Sequence, residues 1–97
     1  MAVVDKPWKA YERDIARRLG TTRVLQKGTK VPDVLYKQWK IDCKLRKNLA
    51  LWKNFWEARK KYGEHTILVA RRSGTKRSVV VMEWDDWYAL VTDEAVD

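Results

Sequence analysis

The chain has 97 residues, enough for one small domain with a modest core, which makes association with a second copy an expectation. It carries 21 Lys and Arg against 13 Asp and Glu, with a formal charge of +8 and a pI near 9.8, a balance that points to a polyanionic partner, most commonly nucleic acid. A single cysteine excludes an internal disulfide framework, and with neither a signal-peptide core nor an apolar run of membrane-spanning length the expectation is a soluble cytoplasmic protein without a membrane partner.

The charge is unevenly placed. All the bases lie in residues 1–77 together with seven acids, whereas residues 78–97 hold six acids and no base. Six Trp and four Tyr are many for this length, and some of them suit an interface as well as the core.

Residues 1–6 read as a flexible leader. Pro7 suits the first turn of a helix, and Trp8, Tyr11, Ile15 and Leu19 form a helical stripe that ends at Gly20, a residue suited to the position after a helix. Glu12 sits at the edge of this stripe, with Lys9, Arg13 and Arg17 on the outer face. An edge carboxylate can reach the neighbouring sheet; pairing with a nearby arginine is the plainer reading.

Arg23 to Gln26 reads as a short strand. In the loop that follows, Lys27, Gly28, Thr29 and Lys30 combine bases with small residues, which suits close approach to a phosphate and equally suits a plain turn.

Residues 32–46 read as an antiparallel hairpin turning near Lys37-Gln38. Trp39, Ile41, Cys43 and Leu45 alternate with Lys40, Asp42, Lys44 and Arg46, the period of a strand with one apolar and one charged face. The turn places Tyr36 opposite Trp39, Val34 opposite Ile41 and Asp33 opposite Asp42. Carboxylates directly opposite would have Cβ atoms roughly 4.5–5.5 Å apart, where like charges repel. A hard cation such as Mg²⁺, held by one or two carboxylates with water and phosphate, would relieve that repulsion. Lys44, on the same face, adds a fixed positive charge. The alternative is a solvated face on which Asp42 pairs with neighbouring lysines.

A second helix is expected over about Leu49 to Tyr62, with Asn48 as its N-cap and Gly63 past its end. Leu51, Phe55, Ala58 and Tyr62 form its stripe, and Trp52 and Trp56 widen it, as core residues first and as dimer contacts second. Lys53, Lys60 and Lys61 make the outer side basic. Thr66 to Ala70 reads as a buried central strand. Arg71, Arg72, Lys76 and Arg77 crowd the loop that follows, which suits phosphate contact or a solvated hairpin tip.

Val79 to Met82 reads as a further buried strand. Glu83 to Val91 reads as a short helix with acids in its first turn, which Trp84, Trp87, Tyr88 and Val91 would pack onto the sheet or onto a second subunit. Residues 92–97 read as an acidic tail. Cys43 falls on the apolar face of its strand, where a small buried thiol is ordinary packing, and His65 reads as a surface residue, so neither a Cys-His enzyme nor a zinc site is expected.

Pro32-Asp33, followed after eight residues by Asp42-Cys43-Lys44, matches the PD-(D/E)XK motif of the metal-dependent nuclease superfamily. With Glu12 in a preceding helix and Gly28-Thr29-Lys30 just before Pro32-Asp33, the chain resembles the small archaeal-type Holliday junction resolvases, of the kind phages also carry, from roughly Trp8 to Val91.

The resemblance implies a single restriction-endonuclease-like domain over residues 1–97, of α/β class, with a mixed central sheet flanked by helices in the order α-β-β-β-α-β-β-α. It implies Mg²⁺, with Mn²⁺ as a substitute, held by Asp33, Asp42 and the main-chain carbonyl of Cys43, and Glu12 placing a water or a second ion. Lys44 would orient the attacking water. The implied activity is the resolution of four-way DNA junctions by paired nicks as a homodimer, with Arg13, Lys27, Thr29, Lys30, Arg46, Lys47, Lys53, Arg71, Arg72, Lys76 and Arg77 as DNA-contact candidates. Two departures are the shorter Asp42 where many relatives carry Glu, and a chain shorter than many resolvases. Another nuclease of the same superfamily acting in repair or on flaps, or a non-catalytic DNA-binding module, fits the same residues.

Overall fold

The computed structural model describes residues 6–24 and 31–92. Residues 1–5 of the leader, residues 93–97 of the acidic tail and the loop bearing Lys27, Thr29 and Lys30 lie outside the described residues.

Helix α1 (Pro7–Arg18) begins with Pro at its first position and carries Arg17 and Arg18 in its last turn, where cations complement the helix dipole. Gly20, at φ 76, donates its N–H to the Arg17 carbonyl, and Thr21 donates to the Ala16 carbonyl. This paired closure satisfies two helix-end carbonyls and needs the left-handed conformation that Gly adopts without cost.

Strands β1 (Val34–Tyr36) and β2 (Trp39–Arg46) form the hairpin in the predicted register, with Val34 opposite Ile41 and Tyr36 opposite Trp39. Its turn holds Lys37 at φ 54. Helix α2 (Leu51–Tyr62) then carries the chain to β3 (Thr66–Arg72), which runs parallel to β2. β4 (Val79–Val81) returns antiparallel to β3, and α3 (Trp84–Val91) follows.

The result is an α/β domain with a four-stranded mixed sheet in the order β1-β2-β3-β4 and three helices. The alternation of β2 splits its core in two. Trp39, Ile41 and Cys43 pack with Tyr11 and Ala16 of α1 on one face, while Phe55 of α2 packs on Leu68 and Ala70 on the other. Asp42 and Lys44 therefore belong to the face of α2. No helix among the described residues is long and apolar enough to cross a membrane.

Several expectations are corrected. Where Arg23 to Gln26 was expected to form a strand, the described part makes one isolated bridge, Arg23 to Val34, so four strands are present among the described residues. α2 starts at Leu51 with Ala50 at its N-cap and no side-chain cap, because Asn48 still lies in the bend that leaves β2. β4 is an edge strand, with no further strand beside it among the described residues, and Val79 and Val80 are exposed. Trp52 and Trp56 are exposed, since α2 turns Asn54, Phe55 and Ala58 inward instead. No residue of α3 is buried.

Candidate active site

Asp33 stands just before β1, at a point where the ladder is deformed. Its N–H donates to the carbonyl of Ile41, which also faces Val34, and its own carbonyl accepts from Val24 N–H. Two residues facing one is the arrangement of a β-bulge, which bends a strand and re-aims a side chain. Asp33 therefore does not continue the ladder opposite Asp42 as the ideal register implies. Its carboxylate reaches across instead, and Oδ2 accepts the Cys43 N–H at 2.8 Å.

That hydrogen bond fixes the direction of a second group. The N–H and C=O of a strand residue point to the same side, so the carbonyl of Cys43 points to the same sheet edge as its N–H, past the end of β1. The carbonyl and the Asp33 carboxylate thus share one edge. The thiol of Cys43 points the other way, into the core against α1.

Asp42 is buried on the other face, and Lys44 Nζ lies 3.3 Å from its Oδ2. Glu12, buried on α1, accepts from Arg23 Nε at 2.8 Å. Asp33, Asp42, Lys44 and Glu12 line one pocket of about 340 Å³ with Lys61 and Tyr62. The four residues singled out from the sequence are therefore brought together. A larger cleft, about 870 Å³, lies beside α1 over Arg13, Arg17 and Arg23, where Asp14 is the one carboxylate among the described residues that line it.

The electrostatics follow from burial. The Asp42 carboxyl is raised above the usual carboxylate range, chiefly by burial; Lys44 pulls it back and the neighbouring Asp33 pushes it further up. Asp33 is likewise raised by burial, against the pull of the Cys43 N–H and with a further push from Glu12. The two carboxyl groups are close enough to share a hydrogen bond. Tyr62 is pushed up to about 12 by burial and by the charges of Asp42, Asp33 and Glu12, so its hydroxyl keeps its proton at neutral pH and can serve as a donor.

Among the described residues, no group of three or more His, Cys, Asp or Glu side chains is gathered as a metal cage. Mg²⁺ does not require one, because it keeps several waters and is held by one or two carboxylates with substrate phosphate. The chemistry of the donors fits it: two buried carboxyl groups whose joint ionisation is unfavourable, beside an outward-pointing carbonyl.

The thiol is unsuited to catalysis. Burial, followed by the charges of Asp33, Glu12 and Asp42, pushes the Cys43 thiol up, away from the thiolate a nucleophile requires. We expect a thiol-specific reagent to leave Cys43 unmodified in the native protein and to label it fully after denaturation. Rapid native labelling, followed by titration of the reactive fraction, would reinstate a thiol mechanism.

The DNA-contact candidates fall into three groups. Arg46 stands opposite Arg72 at the ends of β2 and β3, Lys47 follows β2, and Lys76 and Arg77 lie in the exposed turn after β3. Lys53 is exposed in the first turn of α2, at the same end of the sheet. Like charges facing each other across a ladder repel, so the Arg46 and Arg72 pair favours an anion between them. Arg71 instead lies half-buried over the Tyr11 ring, 4.9 Å from its centroid, and Arg13 is exposed on α1.

Sequence reasoning missed Arg23, which holds Glu12, and assigned Tyr62 to the core and Lys61 to a generic basic face. For Lys61 and Tyr62 the available signal was their place at the end of α2, since the crossover to β3 must bring that end back over the strand bearing Asp42. Comparison with protein-family models, with curated proteins and with solved structures finds no match to this chain.

Proposed function

We propose that this chain is a Mg²⁺-dependent DNA endonuclease of the PD-(D/E)XK type with a restriction-endonuclease-like domain, selective for four-way junctions and active as a homodimer. The observation that carries the reading is the convergence of Asp33, Asp42 and Lys44 in one pocket, with the two carboxyl groups buried against each other. A folded chain gains nothing from burying two coupled carboxyl groups, so the arrangement calls for a positive partner that Lys44 supplies only in part.

Asp33, Asp42 and the Cys43 carbonyl are the groups that would hold Mg²⁺, with Mn²⁺ as a substitute. Bound there, the ion would supply Lewis-acid stabilisation at a phosphate and acidify water. Lys44 Nζ lies beside Asp42, where it can orient a water and offset charge that develops on the phosphoryl oxygens. Glu12, fixed by Arg23, offers an acceptor for a further water. Arg46, Lys47, Arg72, Lys76 and Arg77 form the basic rim that a DNA backbone would follow, with Lys53 and Arg13 as further contacts.

Selectivity for junctions draws on the resemblance in motif and order of elements, and the basic rim supports DNA in general. Resolution needs symmetric cuts, which a two-fold pair of sites supplies. The deciding experiment is cleavage of labelled four-way junction and matched duplex with Mg²⁺ or EDTA. Paired nicks in the junction alone, and only with Mg²⁺, are expected. Equal cleavage of duplex would leave a nuclease that is not a resolvase, and binding without cleavage under any metal condition would leave a DNA-binding module.

A further inference from the structure

Helix α3 carries Trp84, Trp87, Tyr88, Leu90 and Val91, yet none of its residues is buried. Beside it, β4 ends the sheet with Val79 and Val80 exposed. A groove of about 320 Å³ joins the start of α3 to α2, with Trp52 and Trp56 on one side and Trp84 on the other. The groove puts Trp52, Trp56 and Trp84 on one surface, and Trp84 and Trp87 line an adjoining hollow with Val80 and Val81, so the exposed aromatics of α2 and α3 and the edge of β4 are neighbours.

We propose that this face is the interface of a two-fold dimer of this chain, in which β4 and α3 of one copy meet β4, α3 and the α2 tryptophans of the other. The inference gives the homodimer of the previous section a surface, but it stands on exposure and charge and not on the nuclease reading.

The area is of the right size. Trp52, Trp56, Trp84, Trp87 and Tyr88 are each between 40% and 78% exposed, and at the area a large aromatic buries this amounts to roughly 400–700 Å². Val79, Val80, Leu90 and Val91 add to it. Monomers leave a largest apolar patch of roughly 300–600 Å², whereas each partner of a standard interface contributes about 800 Å².

Charge and geometry select a second copy as the occupant. Residues 83–92 hold Glu83, Asp85 and Asp86 and no base, so DNA and anionic lipid are repelled from α3. Within its own chain Glu83 already pairs with Arg59 of α2 and Asp86 with His65, which leaves Asp85 as the acid to meet an exposed base of α2 such as Lys60. Across a two-fold axis, a contact between Asp85 of one copy and Lys60 of the other is made twice. The open edge of β4 presents unpaired backbone groups on a run of three valines, which favours antiparallel pairing with a like strand.

The test is sedimentation equilibrium of the full chain over a wide concentration range, beside Trp84→Lys/Trp87→Lys and, separately, Val80→Lys. The wild type is expected at twice the 11.5 kDa chain mass. Each variant should raise the dimer Kd by about 30-fold or more, the effect of losing a hot-spot contact, with an unchanged far-ultraviolet circular dichroism spectrum. Val80→Lys alters no aromatic residue and decides the matter if the double variant unfolds. Asp42→Asn, which leaves this face intact, should sediment as wild type, so loss of the nuclease reading and loss of the interface are separately visible. A wild type that is monomeric at every concentration, or natively folded variants that dimerise as well as wild type, would overturn the proposal.

Discussion

Asp42→Asn is expected to lower metal-dependent cleavage by about 10³-fold or more while leaving the fold and DNA binding in place. The substitution keeps the size of a side chain that is buried on the α2 face, and the amide oxygen can still accept from Lys44. What it removes is one of the two carboxylates proposed to hold the ion, in a pocket that Glu12 and Lys44 also line. The same reasoning selects Asn over Ala at position 33. Asp33 Oδ2 accepts the Cys43 N–H, and stranding a buried donor costs about 1–3 kcal/mol, which would confuse lost chemistry with lost structure. Single-turnover cleavage of labelled junction, measured beside a binding assay and circular dichroism, separates the two. Asp42→Asn cleaving at the wild-type rate would remove the site from the proposed mechanism.

The two carboxyl groups are one unit, and their losses should not add. Once either is neutral, the pocket no longer holds the paired charge on which the proposed chemistry depends, so Asp33→Asn/Asp42→Asn should be scarcely slower than the single variants. Independent structural roles would give multiplied losses instead.

Much of this arrangement is legible in the sequence, because its causes are local. Alternation from Trp39 to Arg46 fixes which face each side chain takes, and the Lys37-Gln38 turn fixes the register, so the Val34 to Ile41 pairing follows directly. Pro7 and Gly20 mark the ends of α1 for reasons of backbone geometry. Other features depend on tertiary context. The bulge at Asp33 arises where Val24 and Ile41 both claim its backbone, and no periodicity announces it. Arg23 reaches Glu12 across a turn whose path is set by packing. Trp52 and Trp56 fit a wide apolar stripe as well as Phe55 does, but only the position of the sheet decides which of them is covered. Val79 to Met82 read as buried because valine runs usually are; at the sheet edge Val79 and Val80 lie open, while Val81 stays half-buried against Phe55 and Leu68.

The stability of the metal-free protein should fall as pH rises from acid to neutral, in proportion to the burial of Asp33 and Asp42. Both carboxyl groups are raised in the folded state above the 3.8 of an ordinary aspartate. Between that value and the folded values, the native state binds more protons than the unfolded state, so the unfolding free energy declines with pH. Below 3.8, both states are protonated and the penalty vanishes; above the folded values it is fully present and constant. Other carboxylates titrate in the same range, so the quantity to measure is the difference between wild type and Asp42→Asn in thermal melts across that window. The wild type should show the steeper decline. Mg²⁺ should oppose it, since a ligand selective for the ionised native site adds about 1 kcal/mol at about five times its Kd, or roughly 4–8 °C in Tm for a domain of this size. That gain should appear at neutral pH, fade as the carboxyl groups protonate, and be absent in Asp42→Asn. An equal Mg²⁺ effect in wild type and variant would show that the ion binds elsewhere, and it would do so without reference to any cleavage assay.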